Sequence, residues 1–215
     1  MATKKKVSRE PESRQAAFSA RNKARLIKNA QEVLAEIGPS ATIEQIAAHA
    51  EVSPTTIYKY LANKDELFIQ ALGEMWHSWV SWAFAQTSTT DDLEAVLTTC
   101  RRFFRLKETH PHLAQVFHNT LKEMPDFFIK ADDATAKRVF GELASAGHIS
   151  GEDFEQRYEV WQSILFGLVT AVNVSEVFSP AEADVGLGIG LSVWGISEAK
   201  AKKLMSRPIG ISLIK

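Results

Sequence analysis

Residues 52–68 read "VSPTTIYKYLANKDELF". Three apolar anchors, Ile57, Leu61 and Leu67, are separated by hydroxyls, two tyrosines and two lysines. Ser53 followed by Pro54 is a helix start: serine caps, and proline at the first turn loses no bonded N–H. Ile57 and Leu61 then share one inward face of a short helix over 54–60. Upstream, Thr42 with Gln45 three residues on has the form of a capping box. It opens another short helix, 43–50, with Ile43, Ile46, Ala47 and Ala50 on its apolar face. Glu51, Val52 and Ser53 join the two, which is helix–turn–helix spacing. Leu26, Ile27, Ala30, Val33, Leu34 and Ile37 form a helical stripe over about 20–37, ended by Gly38 and Pro39. This helix is expected to close a three-helix head.

In that arrangement Thr55, Thr56 and Lys59 point outward from the second short helix, as donors suited to base edges in a major groove. Tyr58, Tyr60 and Lys64 lie toward flanks where phosphates would sit. Thr42 and Ser53 expose helix N-termini, which attract phosphate. The plainer reading is a hydroxyl-rich solvated surface, and the spacing alone leaves both open.

Charge leans toward the first. Residues 1–64 hold 11 Lys/Arg against 6 Asp/Glu, while 65–215 hold 14 against 20. A basic head on an acidic body points to a polyanion at the head only. Part of the excess comes from Lys4, Lys5 and Lys6, in a polar stretch read as a flexible arm over 1–18. The arm either enters a minor groove, with Arg9 and Arg14, or is simply solvated.

The stretch "TIEQIAAHAEVSPTTIYKYLANKDELF", preceded by "EVLAEIGPSA", closely resembles the TetR family of bacterial transcriptional regulators. Gly38, Thr42, Ile46 and Ala47, Val52 and Ser53, then Ile57 through Leu61, Lys64 and Leu67, carry the resemblance over about 45 residues. The resemblance implies base contacts from Pro54, Thr55, Thr56 and Lys59. It implies phosphate contacts from Thr42, Ser53, Tyr58, Tyr60 and Lys64. Thr55 stands where relatives often have Gly and Leu61 where they have Phe, so an operator sequence does not carry over. The implied protein is all-α. A helix–turn–helix domain at 19–64 precedes a helical effector-binding and dimerisation domain at 65–215. The implied partners are a palindromic double-stranded operator, a second copy of the chain and a small effector.

Past residue 64 the periodicity stays helical, with stripes at 65–86, 91–109, 111–120, 125–146, 152–177 and 180–206. Thr90, Ser150 and Ser179 are the expected N-caps. In relatives the last two long helices pair with a second subunit, which implies dimerisation through 152–177 and 180–206. The run "VGLGIGLSVWGI" (185–196) lacks the preceding strand and following Lys of a phosphate loop. Its glycines are expected to permit close helix approach.

Aromatic residues recur through the body. Trp76, Trp79, Phe103, Phe117, Trp161 and Phe166, with His110 for polarity, are the expected lining of an apolar effector site. Gln115, His118, Asn119 and Asn173 are further polar candidates, and Phe127 and Phe128 further aromatics. Aromatics at helical spacing serve more often as plain core. A constitutive architectural DNA-binding protein without effector is therefore the alternative.

Metal and enzyme chemistry fare poorly. His110, His112 and His118 have no recognised zinc spacing. Cys100 beside Arg101 and Arg102 raises the question of an activated thiol, but a lone Cys on an apolar stripe reads as packing. No cofactor is expected. The apolar run 164–172 is too short to span a bilayer, which takes roughly 20 residues, and a cytoplasmic location is expected.

Overall fold

The computed structural model describes residues 10–123 and 133–210, and every regular element among them is helical. The chain divides into two compact units, Met1–Leu72 and Gly73–Lys215.

The first unit contains α1 (Glu10–Glu36), α2 (Ile43–His49), α3 (Pro54–Tyr58) and the start of α4 (Lys64–Ala85). Its core is the expected stripe of α1 (Leu26, Ile27, Ala30, Val33, Leu34) together with Ile46, Ala47, Ile57 and Leu61, all buried. Ile37 leaves the stripe: it lies one residue beyond the end of α1 and is exposed. Gly38, at φ 91°, turns the chain there. Two boundaries differ from expectation. Residues 10–18, read as part of a flexible arm, form the first turns of α1; Lys4, Lys5, Lys6 and Arg9 lie outside the described residues. The head also extends past residue 64, to Leu72. Leu67, Phe68, Ala71 and Leu72 are buried, and Gln31 Nε2 donates to the Ala71 carbonyl at 3.1 Å.

The second unit holds the rest of α4, then α5 (Asp92–Phe103), α6 (Leu106–Thr109), α7 (Pro111–Glu123), α8 (Asp133–Ser145), α9 (Phe154–Asn173), α10 (Pro180–Gly190), a 3-10 turn (Leu191–Trp194) and α11 (Glu198–Met205). Two long helices expected from periodicity are broken. The stripe 91–109 is split at Phe104 and Arg105 into α5 and α6. The stripe 180–206 is interrupted by the 3-10 turn and by Gly195, whose φ of 72° ends it, before Ser197 caps α11 by accepting from Lys200 N–H. Phe127 and Phe128, and the first part of the helix expected over 125–146, fall outside the described residues.

Caps follow a similar pattern. Ser179 and Glu182 make the expected reciprocal box at α10. At α5 the cap is Asp91, not Thr90, because its carboxylate reaches Glu94 N–H at 2.9 Å. At α9 it is Asp153, in the left-handed region, rather than Ser150. Glycines of α10 do bring helices close, within one chain. A Cβ on Gly186 would stand 2.7 Å from Leu168 Cδ2, and one on Gly190 3.0 Å from Ile164 Cγ2.

Candidate nucleic-acid interface

The α2–α3 pair is built by its caps. Thr42 Oγ1 accepts from Gln45 N–H at 3.3 Å while Gln45 Oε1 accepts from Thr42 N–H at 2.7 Å, the reciprocal box read from the sequence. Ala50 and Glu51 make the turn. Glu51 takes φ 54°, a left-handed conformation that a Cβ disfavours by roughly 1–2 kcal/mol. Replacing Glu51 by Gly removes that strain and returns part of the gain to the unfolded chain as entropy. The expected net is a stabilisation of about 0.5–1 kcal/mol. Thermal denaturation of the full chain checks this, and an unchanged or lower midpoint refutes it.

Ser53 then caps α3, accepting from Thr56 N–H at 3.3 Å, with Pro54 in the first turn. Ile57 and Leu61 anchor the helix in the core. That fixes what faces outward: Thr55 and Lys59 are exposed, Tyr58 is 53% exposed, and Thr42 and Ser53 are exposed. Pro54, Thr56, Tyr60 and Lys64 are half-buried. Thus all nine candidate residues lie in the first unit, yet they are not equally free. The Thr56 hydroxyl is 2.9 Å from Ser53 Oγ, so part of its hydrogen-bonding capacity serves the cap. Tyr60 Oη accepts from Asn22 Nδ2 at 3.1 Å, which leaves its proton available to an acceptor. Lys64 Nζ donates to the Pro39 carbonyl at 3.1 Å and lies 5.4 Å from the Phe68 ring centre.

Asn63 caps α4 as expected, accepting from Glu66 N–H at 2.8 Å. The Glu66 carboxylate closes on Ala62 N–H, one residue before the cap. Asn22 was not legible as a partner of Tyr60, since the two are 38 residues apart. Glu51 offered a signal that went unread, a tight turn with no glycine in it.

The pattern described as bacterial regulatory proteins of the tetR family matches residues 26–71. The likeness to the TetR family therefore rests on residues 26–71, the helix–turn–helix head. Three solved structures show how far the fold extends. RolR in complex with resorcinol is 19% identical with TM-score 0.69, over 90% of this chain and 97% of that one. FadR from Bacillus subtilis in complex with stearoyl-CoA is 22% identical with TM-score 0.59, over 81% and 99%. SmeT, repressor of the Stenotrophomonas maltophilia multidrug efflux pump SmeDEF, is 15% identical with TM-score 0.60, over 80% and 89%. At these identities the likeness is one of fold. No curated protein matches the sequence. The matched pattern spans α2, α3, the second part of α1 and the start of α4, where all nine candidate DNA-contacting residues lie. Among the described residues no helix is long and apolar enough to cross a membrane.

In the second unit the effector candidates separate into two aromatic groups. Trp76, Trp79, Phe103 and Phe117, from α4, α5 and α7, pack with ring centres 4.9 to 5.7 Å apart. His110 stands edge-on to Trp82 at 4.3 Å, and burial lowers its pKa. Trp161 belongs to a different group, with Phe140, Phe154, Tyr158 and Trp194. Phe166 is half-buried against the same core. Of the polar candidates, His118 Nδ1 lies 3.1 Å from the Asn173 carbonyl, and Gln115 Nε2 donates to Asn119.

Cys100 is not activated by its arginine neighbours, which are bonded elsewhere: burial pushes its thiol up to about 12. The thiol therefore stays neutral in the folded chain while an unfolded one ionises near 9. Its contribution to stability is complete below pH 9 and is lost as the pH rises toward 12. At pH 8 a thiol reagent is expected to label unfolded protein at least tenfold faster than native protein, since the thiolate is the reacting species (on the order of a thousandfold from the depleted thiolate alone). Equal rates refute it.

Proposed function

We propose that the protein is a repressor that binds a near-palindromic operator as a homodimer and is released from it by a small apolar or amphipathic effector. The observation that carries the effector half is the aromatic group of α4, α5 and α7. Trp79 is buried there and its indole N–H has no partner among the described residues, as is also true of Trp161 and Trp194 in the second group, whereas a buried indole ordinarily finds an acceptor. A planar or acyl molecule with one well-placed oxygen satisfies both the apolar walls and that donor. Similar structures hold resorcinol and stearoyl-CoA, which combine those features. The packed rings must part to admit it, and α4, which carries Trp76 and Trp79, also supplies the last helical turns of the head. A ligand that favours one position of α4 shifts the DNA-binding equilibrium; one with equal affinity for both states shifts nothing.

The dimer half rests on an apolar face of α9 and α10. Val160 is 50%, Val185 64% and Ile189 72% exposed, on the helices expected to pair. Val185 and Ile189 lie one turn apart on α10, and exposed large apolar side chains on one helix face mark association surfaces.

The test is to select bound fragments from the source genome. Compounds suggested by the neighbouring genes are then titrated against the operator complex. A selection that recovers no common inverted repeat sinks the operator reading. A recovered operator whose complex no compound weakens leaves the constitutive binder as the answer.

A further inference from the structure

Three arginines, Arg101 and Arg102 at the end of α5 and Arg105 just before α6, are placed in a way the effector and DNA readings do not use. Arg102 is 1% exposed, and its guanidinium has no carboxylate partner among the described residues. It donates instead to five oxygens from two separate places. At the end of α4 they are the Ala83 carbonyl, the Thr87 hydroxyl at 2.7 Å and the Gln86 carbonyl at 2.9 Å. In segment 207–210 they are the carbonyls of Ile209 at 2.6 Å and Gly210 at 3.4 Å. The last carbonyls of a helix have no partner within it, so Arg102 acts as the C-terminal cap of α4.

Arg101 and Arg105 continue the chain of contacts. Arg105 clamps both oxygens of Asp184 on α10, at 3.0 and 2.7 Å. Arg101 reaches the same carboxylate at 3.2 Å and the Arg207 carbonyl at 2.8 Å. Arg105 Nη1 also returns to the Arg101 carbonyl at 2.7 Å. Asp184 therefore fixes Arg101 on α5 and Arg105 just beyond it, on either side of Arg102 in the chain, while Arg102 fixes the end of α4.

We propose that this arginine relay is a positioning device: α10 and segment 207–210 hold the C-terminal end of α4 through Arg101, Arg102 and Arg105, and loosening it changes operator affinity. The link to DNA rests on the regulator reading above, but the mechanical part does not. Buried charged groups permit few alternative arrangements, because each unpaired member costs a large desolvation penalty.

Two variants in the full-length protein test it. Asp184→Asn disturbs the α10 end, which has no bond to α4 among the described residues. Gly210→Val disturbs the segment end directly: it places a branched residue at φ 59°, with its Cβ 3.6 Å from Arg102 Nη2 and 3.9 Å from the Gln86 carbonyl, so Asp184→Asn is the remote arm of the test. Hydrogen exchange is read at the Gln86 and Thr87 amides, which close the last turn of α4. Both variants are expected to speed exchange there about tenfold, as local opening does, with α2, α3 and α9 unchanged and the oligomer mass unchanged. Affinity for a duplex selected by the unaltered protein is expected to move at least threefold, about 0.65 kcal/mol. Unchanged exchange at these two amides overturns the relay, as does acceleration spread over every helix, which marks a merely structural cluster. Faster local exchange with unmoved operator affinity overturns the link to DNA. The exchange measurement needs neither DNA nor effector, so it fails or holds apart from the functional reading.

Discussion

Ile189→Asp is expected to convert the protein from a dimer to a monomer at micromolar concentration. Ile189 is the most exposed large apolar residue of α10, and it shares that helix with the exposed Val185. A twofold interface uses the same patch from both subunits, so one substitution buries two carboxylates. Each unpaired buried charge costs several kcal/mol. The consequence for DNA is larger than for folding. Once one head is bound, the second binds intramolecularly, and losing that advantage weakens operator binding by about 10²–10⁴-fold. Sedimentation and operator titration read both effects. A dimer that survives Ile189→Asp places the subunit contact elsewhere. Gly190, the neighbouring glycine, is a poor site for this test. It faces Ile164 and Trp161 of its own subunit, so a large residue there disrupts the chain's own packing first.

The second large effect belongs to α3. Thr55→Ala and Lys59→Ala are each expected to cost about 1–3 kcal/mol on the operator and less on a scrambled duplex, because both side chains are exposed and aimed outward. Thr56→Ala is expected to lose less discrimination and more stability, since its hydroxyl contacts the Ser53 cap. Lys64→Ala weakens all duplexes alike and lowers the salt slope by about one. Its bond to the Pro39 carbonyl means that it also lowers the melting temperature. Titrations on both duplexes at several salt concentrations separate these cases. Equal losses on operator and scrambled DNA for Thr55→Ala and Lys59→Ala assign α3 to the backbone and send specificity elsewhere.

The head could be read from its sequence because its determinants are local. Thr42 with Gln45, and Ser53 with Pro54, are caps set by neighbours within three residues, and the α1 stripe declares its buried face by spacing. The body is decided by contacts far apart in sequence. Nothing near residue 104 announces that α5 stops there. Arg101 and Arg102 looked like modifiers of Cys100, yet their partners lie 83 to 108 residues away or on the preceding helix. The break after α10 was nearer to legible: Gly195, then Ser197 opening a polar run, is a stop followed by a start. Hydrophobic periodicity alone runs across it. Trp194 is hidden by the same run, although it stacks on Phe140 at 5.2 Å in the second aromatic group.

The distribution of those aromatics has an optical consequence. All five tryptophans, at 76, 79, 82, 161 and 194, fall in the second unit, while the head has two of the three tyrosines, Tyr58 and Tyr60. Indole emission excited at its red edge therefore reports on the body alone, in the unlabelled protein. An effector that parts the Trp76 and Trp79 rings announces itself by a spectral shift, whereas DNA at the head leaves that signal untouched unless the two units communicate. A change in indole emission on adding operator is thus a direct optical measure of signalling between them.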